Sequence, residues 1–231
     1  MNTNLLQEIT YEQQNLKYFY ILSTLYVVGI LTSLTVSARL FPFHIPLTSY
    51  DILLTGGTWT IPFTFFIQDI TTEVYGYAKS RQIVFLSIPI VIFYIAYLKI
   101  TTYFPIPNVP NVGNSYNEVF NALPRHLLAL LAAVVIGNLV NSFLLSKLKY
   151  WFKGKYLPLR FIGSTAAGEA ALQMIGTTIA WFGTLKFTTE ILPFVFFSYF
   201  YKVSFEAILT PINIYICKWL KNSEGIDVYD N

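Results

Sequence analysis

The chain has 231 residues, of which 55% are hydrophobic and 12% charged, and carries a formal net charge of +3. That charged fraction is roughly half the ~25% usual in soluble domains, too little to coat a soluble fold of this length, and the net charge is too small to suggest a nucleic-acid binder. A single cysteine, Cys217, excludes an internal disulfide and a cysteine metal cluster, and with only His44 and His126 a histidine metal site is not expected.

Residues 1–17 are polar, carry Glu8 and Glu12, and lack the basic n-region of a cleavable signal peptide. The first apolar stretch is therefore expected to stay as a membrane helix. A bilayer core takes about 20 apolar helical residues. Stretches that meet this length lie at about 18–38, 52–75, 82–103, 125–146, 161–183 and 191–217. The expected fold is all-α and integral to the membrane, a six-transmembrane-helix bundle that forms one domain over residues 1–231. Pro62, Pro89 and Pro211 fall inside spans, where neighbouring helices can satisfy the freed carbonyls. Gly56 and Gly57 mark a candidate broken helix at the start of the second span.

Lys and Arg collect on cytoplasmic loops. Lys79 and Arg81 follow the second span, Lys147, Lys149, Lys153, Lys155 and Arg160 the fourth, and Lys218 and Lys221 the sixth. The loop 104–124 has neither Lys nor Arg. Both termini are therefore expected to be cytoplasmic, with Arg39 and Lys186 as single exceptions. The same loop, rich in Pro, Asn and Gly, is a candidate exterior cover.

Residues three or four apart share a helix face, and four spans carry polar groups at that spacing. The second has Gln68, Asp69, Thr72 and Glu73; the fourth Asn138, Asn141 and Ser142; the fifth Thr165, Glu169 and Gln173; the sixth Lys202, Glu206 and Asn213. With the topology above, these groups share one slab between the midplane and the cytoplasmic face. Ionisable groups at a common depth point to a shared polar cavity. Simpler roles stand beside this: the amides as interhelical glue, Lys202 and Glu206 neutralising each other along one helix, and Glu73 pairing with Lys79 or Arg81. Asp69 and Glu169 have no cation four residues away, so they are the stronger cavity candidates. No HExxH, GxSxG, glycine-rich phosphate loop or Cys/His pair is present, so no enzyme is expected.

The segments FTFFIQDITTEVYGYAKSRQ (63–82), GNLVNSFLLSKLKYWFKGKYLPLRFIGSTAAGE (137–169) and YKVSFEAILTPINIYICKWLKNSEGIDVYDN (201–231) resemble, in order and spacing, the queuosine precursor transporter family, also called the vitamin uptake transporter family. The most specific strings are D-x-x-T-E-V-Y-G at 69–76 and E-G-x-D-V-Y-D at 224–230. The family's pattern usually carries an acidic residue where Leu172 stands here. The resemblance implies import of 7-deazaguanine bases such as preQ0, preQ1 or queuine across the bacterial inner membrane, for salvage into the queuosine of tRNA. Such a base presents a ring N–H and an exocyclic amine side by side, and a carboxylate accepts both. Asp69, Glu73 or Glu169 would supply it, amides such as Asn138, Asn141 and Gln173 would take the remaining edge, and Phe65, Phe66 or Trp181 would stack on the ring. The substrate-binding set is thus Asp69, Glu73, Gln68, Asn138, Asn141, Glu169, Gln173, Lys202 and Glu206. The partners expected are a small-molecule deazaguanine, the lipid bilayer and a second copy of the chain in a homodimer. No cofactor, metal or direct nucleic-acid contact is expected. Two other readings are a substrate-binding subunit of an energy-coupling-factor vitamin transporter, and a membrane assembly factor with no translocated ligand.

Overall fold

The computed structural model describes residues 16–37, 39–44, 51–105, 114–177, 179, 183 and 185–230. Its helices are α1 (Lys17–Ser37), α2 (Gly57–Thr101), α3 (Asn114–Trp151), α4 (Leu157–Leu172) and α5 (Leu192–Glu224). A π-helical turn, Gln173–Thr177, continues α4, and another, Phe187–Ile191, leads into α5. Four stretches are long and apolar enough to cross a membrane: Lys17–Ser37, Gly57–Thr101, Leu127–Trp151 and Phe187–Glu224.

α2 is two helical halves joined at Gly76. Gly76 has φ 82° and ψ 171°, a conformation open essentially to glycine alone. Across this point the Gln68 amide nitrogen donates to the Ser80 hydroxyl at 2.6 Å, and Thr72 and Ser80 share a hydrogen bond at 2.7 Å. In a straight helix Gln68 and Ser80 would stand about 18 Å apart along the axis, so the two halves of α2 fold back on each other. The second and third expected spans are these halves. A side chain at Gly76 would also meet Val228 Cγ1 at 2.7 Å. Gly76→Ala is expected to lower stability by at least ~1–3 kcal/mol, the usual cost of a forbidden backbone region. Thermal unfolding of the purified variant in detergent checks this.

Two expectations need correction. Residues 52–55, placed at the start of the second span, form with Asp51 a strand, β2 (Asp51–Thr55), that pairs antiparallel with β1 (Leu40–His44). The register sets Phe41 opposite Leu54 and Phe43 opposite Ile52. Residues directly opposite share a face, so this hairpin has one apolar side, and it packs on Phe194, Val195 and Phe197 near the start of α5. The chain remains helical in class, as expected, and carries this short hairpin in addition. Residues 114–124, expected in the loop, are the first turns of α3, with Pro124 inside the helix; the rest of the proposed cover, residues 106–113, lies outside the described residues.

The exterior is apolar, and the interior combines an apolar core with buried polar and charged groups. Tyr20, Ile21, Leu25 and Val28 of α1 and Phe85, Leu86, Ile92 and Phe93 of α2 are exposed, while carboxylates, amides and ammonium groups are buried. α3 and α4 cross at glycines: a Cβ on Gly168 would sit 2.7 Å from the Gly137 carbonyl oxygen and 2.8 Å from Asn141 Cβ. Small residues let membrane helices approach this closely. The crossing brings Asn141 and Thr165 to the same carboxylate of α2.

Candidate functional site

All nine expected site residues are buried. They sort into three levels along the bundle interior, followed best down α5, whose buried face runs Ser198, Lys202, Glu206, Thr210, Asn213, Cys217 and Leu220 in helical steps.

The first level borders a cavity of about 20 Å³, room for little more than one water. Thr55 and Thr58 line it beneath the hairpin, and Gln173, Ser198 and Lys202 line it with Ile61, Leu130, Leu172 and Phe194. Gln173 donates to the Ser198 hydroxyl at 2.8 Å. Lys202 donates to Glu169 Oε2 at 2.8 Å, and the other oxygen of Glu169, Oε1, is buried with no partner among the described residues. Lys202 therefore pairs across helices with Glu169 and not along α5 with Glu206. Leu172 lines this cavity. Phe194, an aromatic wall, carries no sequence signal that would single it out among 20 phenylalanines.

The second level holds Asp69 and Glu206. Asp69 accepts from the Asn141 amide and, at 3.2 Å, from the Thr165 hydroxyl. Glu206 accepts from the Asn213 amide at 2.9 Å. Neither carboxylate has a cationic partner among the described residues, and neither lines the cavity above. Asn138 donates to the Val134 carbonyl, which leaves its own amide oxygen buried and unpartnered. Gln68 sits apart, between the Ser80 and Ser142 hydroxyls. Its nitrogen donates to both while its oxygen is buried with no partner among the described residues, and these contacts lock the α2 halves to α3.

The third level is a charge cluster that closes one end of the bundle. The Arg160 guanidinium forks onto Glu73, with Nη1 to Oε2 at 2.7 Å and Nη2 to Oε1 at 3.2 Å. Lys221 donates to Glu73 Oε1 at 2.7 Å. Lys149 spends its three protons on the Glu73 carbonyl (2.6 Å), Asp227 Oδ1 (2.6 Å) and the Val228 carbonyl (2.7 Å). Asp230 accepts from the Tyr77 amide and the Ser146 hydroxyl, each at 2.8 Å. Burial opposes ionisation of Asp227, but the bonds from Lys149 and Lys221 outweigh it and hold its carboxyl below the ordinary range. Glu73 is thus paired with neither Lys79 nor Arg81, whose charges lie over the Phe19 and Tyr77 rings. The segment 69–76 and the tail 224–230, distinct strings in the sequence, are two sides of one contact. Lys149, Arg160 and Lys221, counted above only as loop charges, are its cations.

Among the aromatic candidates, Phe65 is buried against Gly168, Phe66 is part of the surrounding core, and Trp181 lies outside the described residues.

A predominantly helical chain with a lipid-facing apolar surface and a buried ladder of charges is a polytopic membrane protein of the transporter type. The chain belongs to the vitamin uptake transporter family: the family model described as "Putative vitamin uptake transporter" matches residues 55–216. No curated protein and no solved structure matches it.

Proposed function

We propose that this protein imports a queuosine precursor, a 7-deazaguanine base such as preQ0, preQ1 or queuine, across the bacterial inner membrane for tRNA queuosine salvage. In this reading the two halves of α2 are separate spans, α4 with its π-helical turn is another, and the bundle has six spans with both termini cytoplasmic. The tail-bound charge cluster then lies at the cytoplasmic end, and the cavity under the hairpin faces outward. The chain is a transporter and not an enzyme.

The observation that carries the reading is the buried Lys202–Glu169 pair, of which Lys202 lines the cavity, with one Glu169 oxygen unpartnered. A carboxylate oxygen left free inside a membrane protein is costly unless a ligand uses it. The adjacent N–H and amine of a deazaguanine are suitable donors to it, and Lys202 and Gln173 offer donors for the carbonyl edge. The cavity, about 20 Å³, has room for a water as it stands, so a base enters only as the bordering helices part.

Purified protein in liposomes containing no ATPase is expected to take up a radiolabelled deazaguanine, with guanine competing poorly. Glu169→Gln is expected to reduce uptake at least tenfold. Uptake that requires an added ATPase would favour the energy-coupling-factor subunit, and no stabilisation by any deazaguanine would overturn the cargo assignment.

A further inference from the structure

Residues 225–230 follow α5 without secondary structure and lie across the end of the bundle that holds the charge cluster. They start at Gly225, which ends α5 with φ 67°, a region that favours glycine. From there they bond three helices. On α2, the Val228 N–H donates to the Val74 carbonyl at 3.2 Å, and Asp230 Oδ2 accepts from the Tyr77 N–H. On α3, the same Asp230 oxygen accepts from Ser146, and Lys149 donates to Asp227 and to the Val228 carbonyl. On α5, Lys221 pairs with Asp227 at 2.9 Å. Tyr229 covers Gly154 in the connection to α4, where a Cβ would collide with its hydroxyl. The bonds to α2 flank Gly76. In an unbroken helix the Tyr77 N–H would donate to the Glu73 carbonyl. Here Asp230 takes the N–H and Lys149 the carbonyl. The segment is a strap that ties α2, α3 and α5 together at the reversal.

Two features suit a strap that can come off. Its grip is mainly polar: Ile226 is buried, but Asp227 and Tyr229 are exposed and Val228 and Asp230 half-buried. The charges beneath it also keep partners without it. Arg160 retains its fork on Glu73, Lys221 retains Glu73 Oε1 at 2.7 Å, and Lys149 retains the Glu73 carbonyl at 2.6 Å and its carboxylate at 3.7 Å. Asp227, whose side chain is already 41% exposed, passes to water. Release therefore strands no buried charge, the loss that makes breaking such clusters costly, and charged groups laid bare are hydrated where an apolar lining would resist water. The cavity beside Lys202 admits a base only as its helices part, and the strap fastens α2, α3 and α5 at the other end of the buried ladder. We propose that residues 225–230 are a latch on the inward-opening end of the transporter. Closed in this structure, it swings away about Gly225 to let cargo leave. The latch's purpose rests on the transporter reading; its motion does not.

The motion is measured by amide hydrogen exchange on the unaltered full chain in detergent, without cargo. The Val228 and Tyr77 N–H groups are expected to exchange at least ~100-fold faster than those of Leu131 and Val134, buried in the middle of α3, because a strap opens locally while a core helix opens only with the whole fold. Exchange in step with α3 would overturn the latch, and this measurement decides the matter even where a variant fails to fold. The role in transport is measured with Ser146→Cys combined with Asp230→Cys, two positions whose side-chain oxygens lie 2.8 Å apart. The native Cys217 is buried and out of reach of oxidant. In liposomes, closing the disulfide is expected to cut deazaguanine import by about tenfold or more relative to the reduced form of the same variant, and a reductant to restore it. Stabilisation of the oxidised form by the deazaguanine is expected to persist, since the cavity lies at the other end. Equal import by the oxidised and reduced forms would overturn the latch. If the unaltered chain neither imports nor is stabilised by any deazaguanine, the cargo assignment fails, while fast exchange at Val228 and Tyr77 would leave the latch standing.

Discussion

Glu73→Gln is expected to lower the unfolding midpoint by about 6–20 °C and to reduce the yield of folded protein from membranes. The substitution keeps the volume and removes the charge on which three cations converge. Arg160 is fully buried and Lys149 nearly so. Breaking a buried ion pair by removing one partner costs about 3–5 kcal/mol, against a total stability on the order of 5–15 kcal/mol. For a chain of this size each kcal/mol moves the midpoint by about 2–4 °C. Arg160→Lys is expected to fall between the two, because a single ammonium cannot reproduce the forked contact. The paired change Glu73→Gln with Arg160→Gln is expected to recover much of the loss by restoring the charge balance. The comparison separates two roles. If Glu73 contacted substrate, Glu73→Gln would melt within about 2 °C of the unaltered protein and lose only uptake. That outcome would remove the argument that the tail-bound cluster is structural.

The same cluster marks the limit of what could be seen in the sequence. Polar stripes at helical spacing were legible, and every residue on them is buried, because a lipid-facing surface forces each polar group of a span inward. Partner choice was not legible. Lys221 and Glu73 are 148 residues apart, Lys202 and Glu169 33 apart, and nothing local announces either pairing. The close crossing at Gly137 and Gly168 decides that Asp69 takes Asn141 and Thr165, and one glycine in the fourth span and one of four in the fifth are too common to flag. The hairpin was missed for a different reason. Its strands are five residues long and lie beside longer apolar stretches, so hydropathy merges them with the spans. Only the cross-strand register of Phe43 with Ile52 reveals the two-residue alternation. The fold reversal in α2 was anticipated as a loop near Lys79, whereas the structure makes it with one residue, Gly76, braced by the tail.

Lys202→Met is expected to abolish deazaguanine uptake and to destabilise the protein by about 3–5 kcal/mol, because it strands the Glu169 carboxylate with no other cationic partner among the described residues. Both effects would follow whether the pair binds cargo or merely holds α4 to α5, so the single variant decides little. The double variant Lys202→Met with Glu169→Leu separates them. Replacing a buried ion pair with apolar groups of similar volume is often neutral or stabilising by about 1–4 kcal/mol. The double variant is therefore expected to melt at or above the midpoint of the unaltered protein. Its cavity would be lined by apolar groups with Gln173 and Ser198, and it would offer neither the carboxylate for the ring N–H and amine nor the ammonium for the carbonyl. Uptake and deazaguanine-dependent stabilisation are expected to stay absent despite the recovered fold. A double variant that is stable and transports at the normal rate would mean that the pair is scaffolding, and the proposed substrate site would lose the observation on which it stands.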